Sequence, residues 1–291
     1  MRLGVILPQN EIGPDPKNVR EFVQRVENAG YDHLAAYDHV LGADISERPG
    51  WRGPYTSETE FHEVLTLFAY CAAITSRLEL VTSILILPQR QTALVAKQAA
   101  EIDILSGGRF RLGVGLGWND VEYQSLNENF RNRGRRIEEQ IEVLRLLWTQ
   151  KVVNFEGRWH HIDRAGIQPL PVQRPIPIWM GAASEPAIRR AATIADGWFP
   201  QFGTDQQGEE MVNMFRRFVA EAGRDPAVVA IEARVQFGDG DANRWKRELE
   251  TWRQRGAQYL SVVTMRASLA TPDDHASAIE RFMETAREFA G

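Results

Sequence analysis

The stretch Ser106-Gly107-Gly108-Arg109-Phe110-Arg111-Leu112-Gly113-Val114-Gly115-Leu116-Gly117-Trp118 decides how the rest of the chain is read. Gly107 and Gly108 can supply the positive φ that stops a helix. Beyond Arg111 the residues are apolar or glycine, as in a strand covered on both faces. Gly113, Gly115 and Gly117 fall two apart and share one face, while Leu112, Val114 and Leu116 share the other. The apolar face packs under a helix. The bare face either leaves room for something bulky and flat or lets a neighbouring backbone come close. The stretch does not complete a dinucleotide-binding fingerprint. Counted from Gly113 the third glycine position is Trp118, and counted from Gly115 it is Asp120.

Upstream, Leu3 to Leu7 reads as a buried strand closed by Pro8. Asp15-Pro16 is a cap and first-turn pair for a helix striped with Val19, Phe22, Val23, Val26 and Ala29. A second strand, His33 to Tyr37, runs into Asp38-His39. Residues 40–57 are irregular and contain Gly50, Trp51, Gly53 and Pro54, and a loop this long in a compact domain is usually a lid or a binding loop. Next come a helix from Glu58 to Thr75, a strand from Leu78 to Leu87 and a helix from Thr92 to Leu105.

Downstream, a polar loop to Asn132 leads to a helix spaced by Ile137, Ile141, Leu144 and Trp148. Val152 to Ile162 reads as a hairpin turning at Glu156-Gly157. Four further strands then alternate with four helices to Phe289. Eight strands alternating with eight helices imply a parallel sheet, and the length favours one closed (β/α)8 TIM barrel over residues 1–291, with an insertion after the fourth helix. A doubly wound open sheet is the runner-up.

The 291 residues are 43% hydrophobic and 25% charged, and the net charge of −5 is spread without a long run of one sign. That argues against a nucleic-acid or anionic-membrane surface as the main partner. Cys71 is the single cysteine, which excludes an internal disulfide framework, and its apolar helical setting suits a buried thiol. No signal segment and no membrane-length apolar run are apparent, so a cytoplasmic protein is expected.

In such a barrel the chemistry gathers where the strands end. Asp38-His39 offers acid–base machinery, a histidine that titrates near neutrality and a carboxylate to orient it. The fourth strand brings Gly115, Gly117, Trp118, Asn119 and Asp120. Gly181, Ala182, Ala183 and Ser184 precede a helix, where small residues let exposed N–H groups approach a phosphate and Ser184 can add its hydroxyl; a plain capping serine is the other use. Arg131, Arg133, Arg135 and Arg136 read as a solvated face bridged to Glu138, Glu139 or Glu142. His160 and His161 are adjacent on the hairpin and point to opposite faces, and nothing else has ligand spacing, so no metal is expected.

Taken in order, Tyr37-Asp38-His39, Thr82 to Leu85, Gly107 to Phe110, Leu112 to Gly117, Phe155 to Gly157, Pro177 to Gly181 and Ala195 to Trp198 give the chain its likeness. It resembles the luciferase-like monooxygenases, in particular the coenzyme F420-dependent oxidoreductases among them. The resemblance implies a homodimeric (β/α)8 barrel with a flavin or deazaflavin at its carboxyl end. It implies coenzyme F420, with FMN and a separate flavin reductase as the alternative. It also implies a non-prolyl cis peptide at Ser83-Ile84 beneath the ring, His39 beside the ring's reactive face with Asp38 next to it, and the cofactor phosphate at Gly181 to Ser184. Where the sugar-phosphate dehydrogenases of that branch carry a glutamate acid this chain has Trp118, with Asp120 and Glu122 just beyond, so the proton donor is unassigned. Trp51 is a candidate substrate wall. A cofactor carrier without turnover is the reading from another functional class.

Overall fold

The computed structural model describes residues 1–291. Its elements are β1 (Arg2–Ile6), α1 (Pro16–Asn28), β2 (His33–Ala36), α2 (Val64–Ile74), β3 (Glu79–Thr82), β4 (Leu85–Ile86), α3 (Thr92–Ser106), β5 (Phe110–Gly115), α4 (Asp120–Ser125) and α5 (Arg133–Thr149). There follow β6 (Val153–Glu156), β7 (His161–Ala165), β8 (Ile178–Ala182), α6 (Glu185–Ile194), β9 (Gly197–Pro200), α7 (Gln206–Glu221), β10 (Ala230–Gln236), α8 (Ala242–Gln254), β11 (Tyr259–Val263) and α9 (Pro272–Ala286).

The strands pair in parallel around a closed ring, β1-β2-β3-β5-β8-β9-β10-β11 and back to β1, which is the (β/α)8 barrel. β3 and β4 are two halves of one barrel strand. Leu80 lies opposite Phe110 and Leu85 opposite Val114 of the same neighbour, β5, and between the halves the Ser83–Ile84 peptide is cis. The insertion is the antiparallel β6–β7 hairpin after α5. No helix is long and apolar enough to cross a membrane.

Strand alternation sorts the side chains. Leu112 and Val114 join the large core between barrel and helices, where the α1 stripe of Val19, Phe22, Val23 and Val26 is also buried. Inside the barrel a smaller cluster holds Ile6, Ala35, Val81, Trp179, Phe199, Val263 and Met265. The amino end of the barrel is sealed by an ionic plug. Arg111 donates to Glu232 at 2.7 Å, the Glu232 carboxylate lies 2.9 Å from His33 Nε2, and Ser261 donates to it at 2.7 Å. The Arg111 guanidinium is held between the rings of Trp179 and Tyr259, 4.2 and 4.5 Å from their centroids. Burial works to raise the Glu232 pKa, but His33, Arg111 and Ser261 outweigh it and hold the carboxyl well below its ordinary range.

Several local expectations are corrected. α2 starts at Val64 rather than near Glu58, because the Glu63 side chain caps it by accepting from the Thr66 amide at 2.7 Å. Residues 120–125, expected within a polar loop, form α4 behind an Asn119 cap. The arginines before and within α5 do not bridge to Glu138, Glu139 or Glu142. Arg136 donates to the Pro88 carbonyl and pairs with Glu128, and Arg133 lies 3.6 Å over the Phe130 ring. Glu138 is taken by Arg190, and Glu139 accepts three backbone N–H groups of the hairpin turn, at Arg158, Trp159 and His160. Arg136 thus packs on the turn after β4, while Arg131 and Arg135 are exposed as expected.

Candidate active site

Tyr37-Asp38-His39 leave β2 at the carboxyl end of the barrel, the mouth. The Asp38 side chain does not reach His39. It is buried, pairs with Arg90 at 2.7 Å and accepts the Ile86 amide at 3.0 Å, tying the loop after β2 to β4. The expectation that Asp38 orients the histidine is therefore corrected: a different carboxylate does so. Glu122, on α4, places Oε2 3.1 Å from His39 Nδ1. Its other oxygen accepts the amides of Val40 at 2.6 Å and Leu41 at 3.2 Å, and Gln89 donates to Oε2 at 3.1 Å.

Burial pushes the Glu122 pKa up, but the hydrogen bond and charge of His39, the Val40 amide and Gln89 pull harder, and the net shift is downward. An ionised Glu122 only accepts, so the proton of neutral His39 belongs on Nδ1. Nε2 is then the free acceptor nitrogen. Aromatic rings meet the imidazole edge-on: Phe61 at 4.9 Å between centroids, Tyr55 at 5.3 Å and Trp118 at 5.6 Å, with Trp51 packed 5.5 Å from Trp118. The His39 side chain is only 9% exposed.

The bare face of β5 is not vacant. A Cβ on Gly113 would overlap the Thr82 carbonyl oxygen and come 2.8 Å from the Phe199 ring. One on Gly115 would meet Ile84 at 2.6 Å, and one on Gly117 would meet Ile86 at 2.7 Å. Gly117 has left the strand with a φ of +66°. The glycines admit the broken third strand, so of the two sequence-based readings the close-approach one describes this face. Gly181 faces the same residue across the barrel, its would-be Cβ 3.1 Å from Ile84. Ser83 and Ile84 thus form a step braced on Gly115 and Gly181.

Gly181 and Ala182 end β8, Ala183 and Ser184 are exposed, and Ser184 caps α6 without any side-chain hydrogen bond to the helix. Its hydroxyl and the first N–H groups of α6 are uncommitted. His160 and His161 go to separate partners, Glu139 and Glu156. No three His, Cys, Asp or Glu side chains are grouped to hold a metal ion. The sequence reading put Gln89 at the end of the third strand and Glu122 just beyond Trp118 without giving either a role, and it did not single out Arg234. Arg234, a lone charge near the carboxyl end of β10, was the available signal for the last.

The mouth thus brings together an oriented histidine, aromatic rings, a braced backbone step and an open helix N-terminus. The model of the luciferase-like monooxygenase family matches residues 1–290, and the chain belongs to that family. An uncharacterized protein of Mycobacterium tuberculosis is 35% identical over 211 residues, 70% of this chain and 72% of the relative. The pyrimidine monooxygenase RutA of Allorhizobium ampelinum is 30% identical over 244 residues, 77% of this chain and 64% of RutA. Among solved structures, the coenzyme F420-dependent tetrahydromethanopterin reductase of Methanopyrus kandleri has the same fold, with a TM-score of 0.77 at 16% identity, over 100% of this chain and 99% of that one. The protein is an enzyme of the luciferase-like oxidoreductase and monooxygenase group, whose members use flavin or F420 cofactors.

Proposed function

We propose that the protein is an oxidoreductase that uses coenzyme F420 to pass hydride to, or take it from, a small organic substrate. The observation that carries this reading is His39 held by the buried Glu122 at the barrel mouth. The residues fit a flat cofactor. The Ser83–Ile84 step, which Gly115 lets in against β5, would support the ring, with Trp118 at its edge; Gly115 and Gly117 themselves are covered by Ile84 and Ile86. Gly181 to Ser184 would hold the phosphate through the Ser184 hydroxyl and the α6 N–H groups. Bound there, a deazaflavin supplies a carbon that accepts or donates hydride.

The chain's own residues do the rest. Glu122 fixes the imidazole ring and its tautomer, so that His39 Nε2 takes up or returns the substrate proton. Phe61, Tyr55 and Trp118 keep water from the imidazole. Asp38 contributes by position, holding the loop that carries His39 against β4. The likeness to RutA, a pyrimidine monooxygenase, favours a second reading, a monooxygenase, which would use FMN supplied by a separate reductase.

Titration of tryptophan fluorescence with oxidised F420 and with FMN tests the proposal. Tight F420 binding with weak FMN binding supports it. The reverse preference supports the monooxygenase, and binding of neither would overturn both. His39→Ala should keep cofactor affinity and lose turnover; a carrier would lose nothing measurable.

A further inference from the structure

β10 carries two inward-facing charges two residues apart, and they are treated differently. Glu232, at the floor of the barrel, is surrounded by Arg111, His33 and Ser261. Arg234, one inward position closer to the mouth, has only neutral acceptors: the Tyr37 hydroxyl at 3.3 Å, the Pro200 carbonyl at 3.4 Å and the Gln201 side-chain oxygen. The carboxylates around the mouth are otherwise engaged. Glu122 holds His39, Asp38 holds Arg90, and Glu11 lies 3.3 Å from His275 Nε2 while accepting the Arg266 amide.

A half-buried guanidinium whose side-chain partners are all neutral has no counter-charge within the protein, and a ligand anion would supply one. The local donors suit such a ligand. The Tyr37 oxygen accepts from Arg234, which leaves its own O–H proton free to donate. A guanidinium and a phenol at this spacing match a carboxylate. The Tyr55 ring meets that of His39, two residues on from Tyr37. On its other side Arg234 borders a cavity of about 400 Å³, where the one carboxylate, Glu248, is taken by Arg244 at 3.0 Å.

We propose that the substrate is a small organic carboxylate whose acid group is anchored by Arg234 and Tyr37, with its apolar body toward Tyr55 and His39. The proposal rests on the oxidoreductase reading for the word substrate, while the anion site itself does not.

Calorimetric titration of the purified protein with benzoate and with its neutral isostere benzamide tests it. Benzoate should bind at least tenfold tighter than benzamide at pH 7. Arg234→Gln should abolish that preference while leaving F420 and FMN affinities within threefold of wild type. Arg234→Lys, which keeps the charge but not the planar fork, should weaken benzoate at least threefold and retain some preference over benzamide. That variant decides the matter if Arg234→Gln unfolds.

Equal binding of benzoate and benzamide would overturn the proposal. So would a preference that survives in Arg234→Gln, or benzoate affinity unchanged in Arg234→Lys. A parallel loss of cofactor affinity in Arg234→Gln would assign the arginine to the cofactor instead. Inorganic phosphate displacing benzoate at equal concentration would mark an unselective anion site and overturn the carboxylate assignment. A benzoate preference in a protein that binds neither cofactor would sustain the anion site and remove the oxidoreductase reading.

Discussion

Glu122 Oε2 lies 3.1 Å from His39 Nδ1, though 83 residues separate the two in the chain. The pair leads to the first prediction. His39→Ala should reduce turnover by about 10²–10⁴, the range of general acid–base assistance. Glu122→Gln removes the charge that fixes the tautomer and should reduce kcat by part of that amount while cofactor affinity holds. Its pH–rate profile should move relative to wild type. An unmoved profile with normal kcat would show that Glu122 only braces the loop.

Glu122 also makes a prediction about acid. Its folded pKa is below the ordinary carboxylate value, so the unfolded chain binds the proton more readily. The stability it contributes is present above the ordinary carboxylate pKa and is lost as pH falls through the folded value. Glu232, shifted in the same direction, behaves alike. Denaturant unfolding at pH 7 and at pH 3 should show a smaller acid loss for Glu122→Gln than for wild type. Equal losses would count against the shift.

At the barrel floor, Glu232→Ala takes from the buried Arg111 guanidinium its shorter ion pair, 2.7 Å, and leaves it only Glu79 at 3.2 Å. The expected cost is about 3–5 kcal/mol, the scale for breaking one side of a buried pair. Denaturant unfolding of the variant measures it. A loss below about 1 kcal/mol would mean that Glu79 and the Trp179 and Tyr259 rings suffice to hold Arg111.

The glycines of β5 can be checked against one in a loop. Gly113→Ala drives a methyl group into the Thr82 carbonyl, a backbone atom that cannot swing away, and should cost about 1–3 kcal/mol or more. At Gly203 nothing lies within 4 Å of an added Cβ, so Gly203→Ala should change the unfolding temperature little. Similar melting of the two variants would contradict the close approach of β3 to β5.

Cys71 is fully buried, and burial pushes its thiol pKa up to about 12. A thiol-specific disulfide reagent at pH 8 should leave the native protein unlabelled and react once denaturant is added. Fast labelling of the native protein would show that α2 opens locally.

Much of the architecture was legible because it is written in local patterns. The stripe from Val19 to Val26, the Gly107-Gly108 stop and the alternation along β5 each depend on near neighbours in the chain. Repeated eight times, such patterns leave few ways to fold besides the closed barrel. The sequence also placed His39 and Ser184 at strand ends, since strand ends are local features. What occupies a glycine face is not local: Ile84 fills it because barrel closure sets β3 and β4 beside β5. The partner of His39 was misassigned to its chain neighbour Asp38, because adjacent side chains leaving a strand diverge. Residues far apart in sequence meet only when α4 folds back over the mouth. The unpaired charge of Arg234 likewise became visible once Glu232, Glu122, Asp38 and Glu11 had each found another partner. Local propensity and periodicity determined the elements and their order; long-range packing and the matching of buried charges decided which side chains could work together.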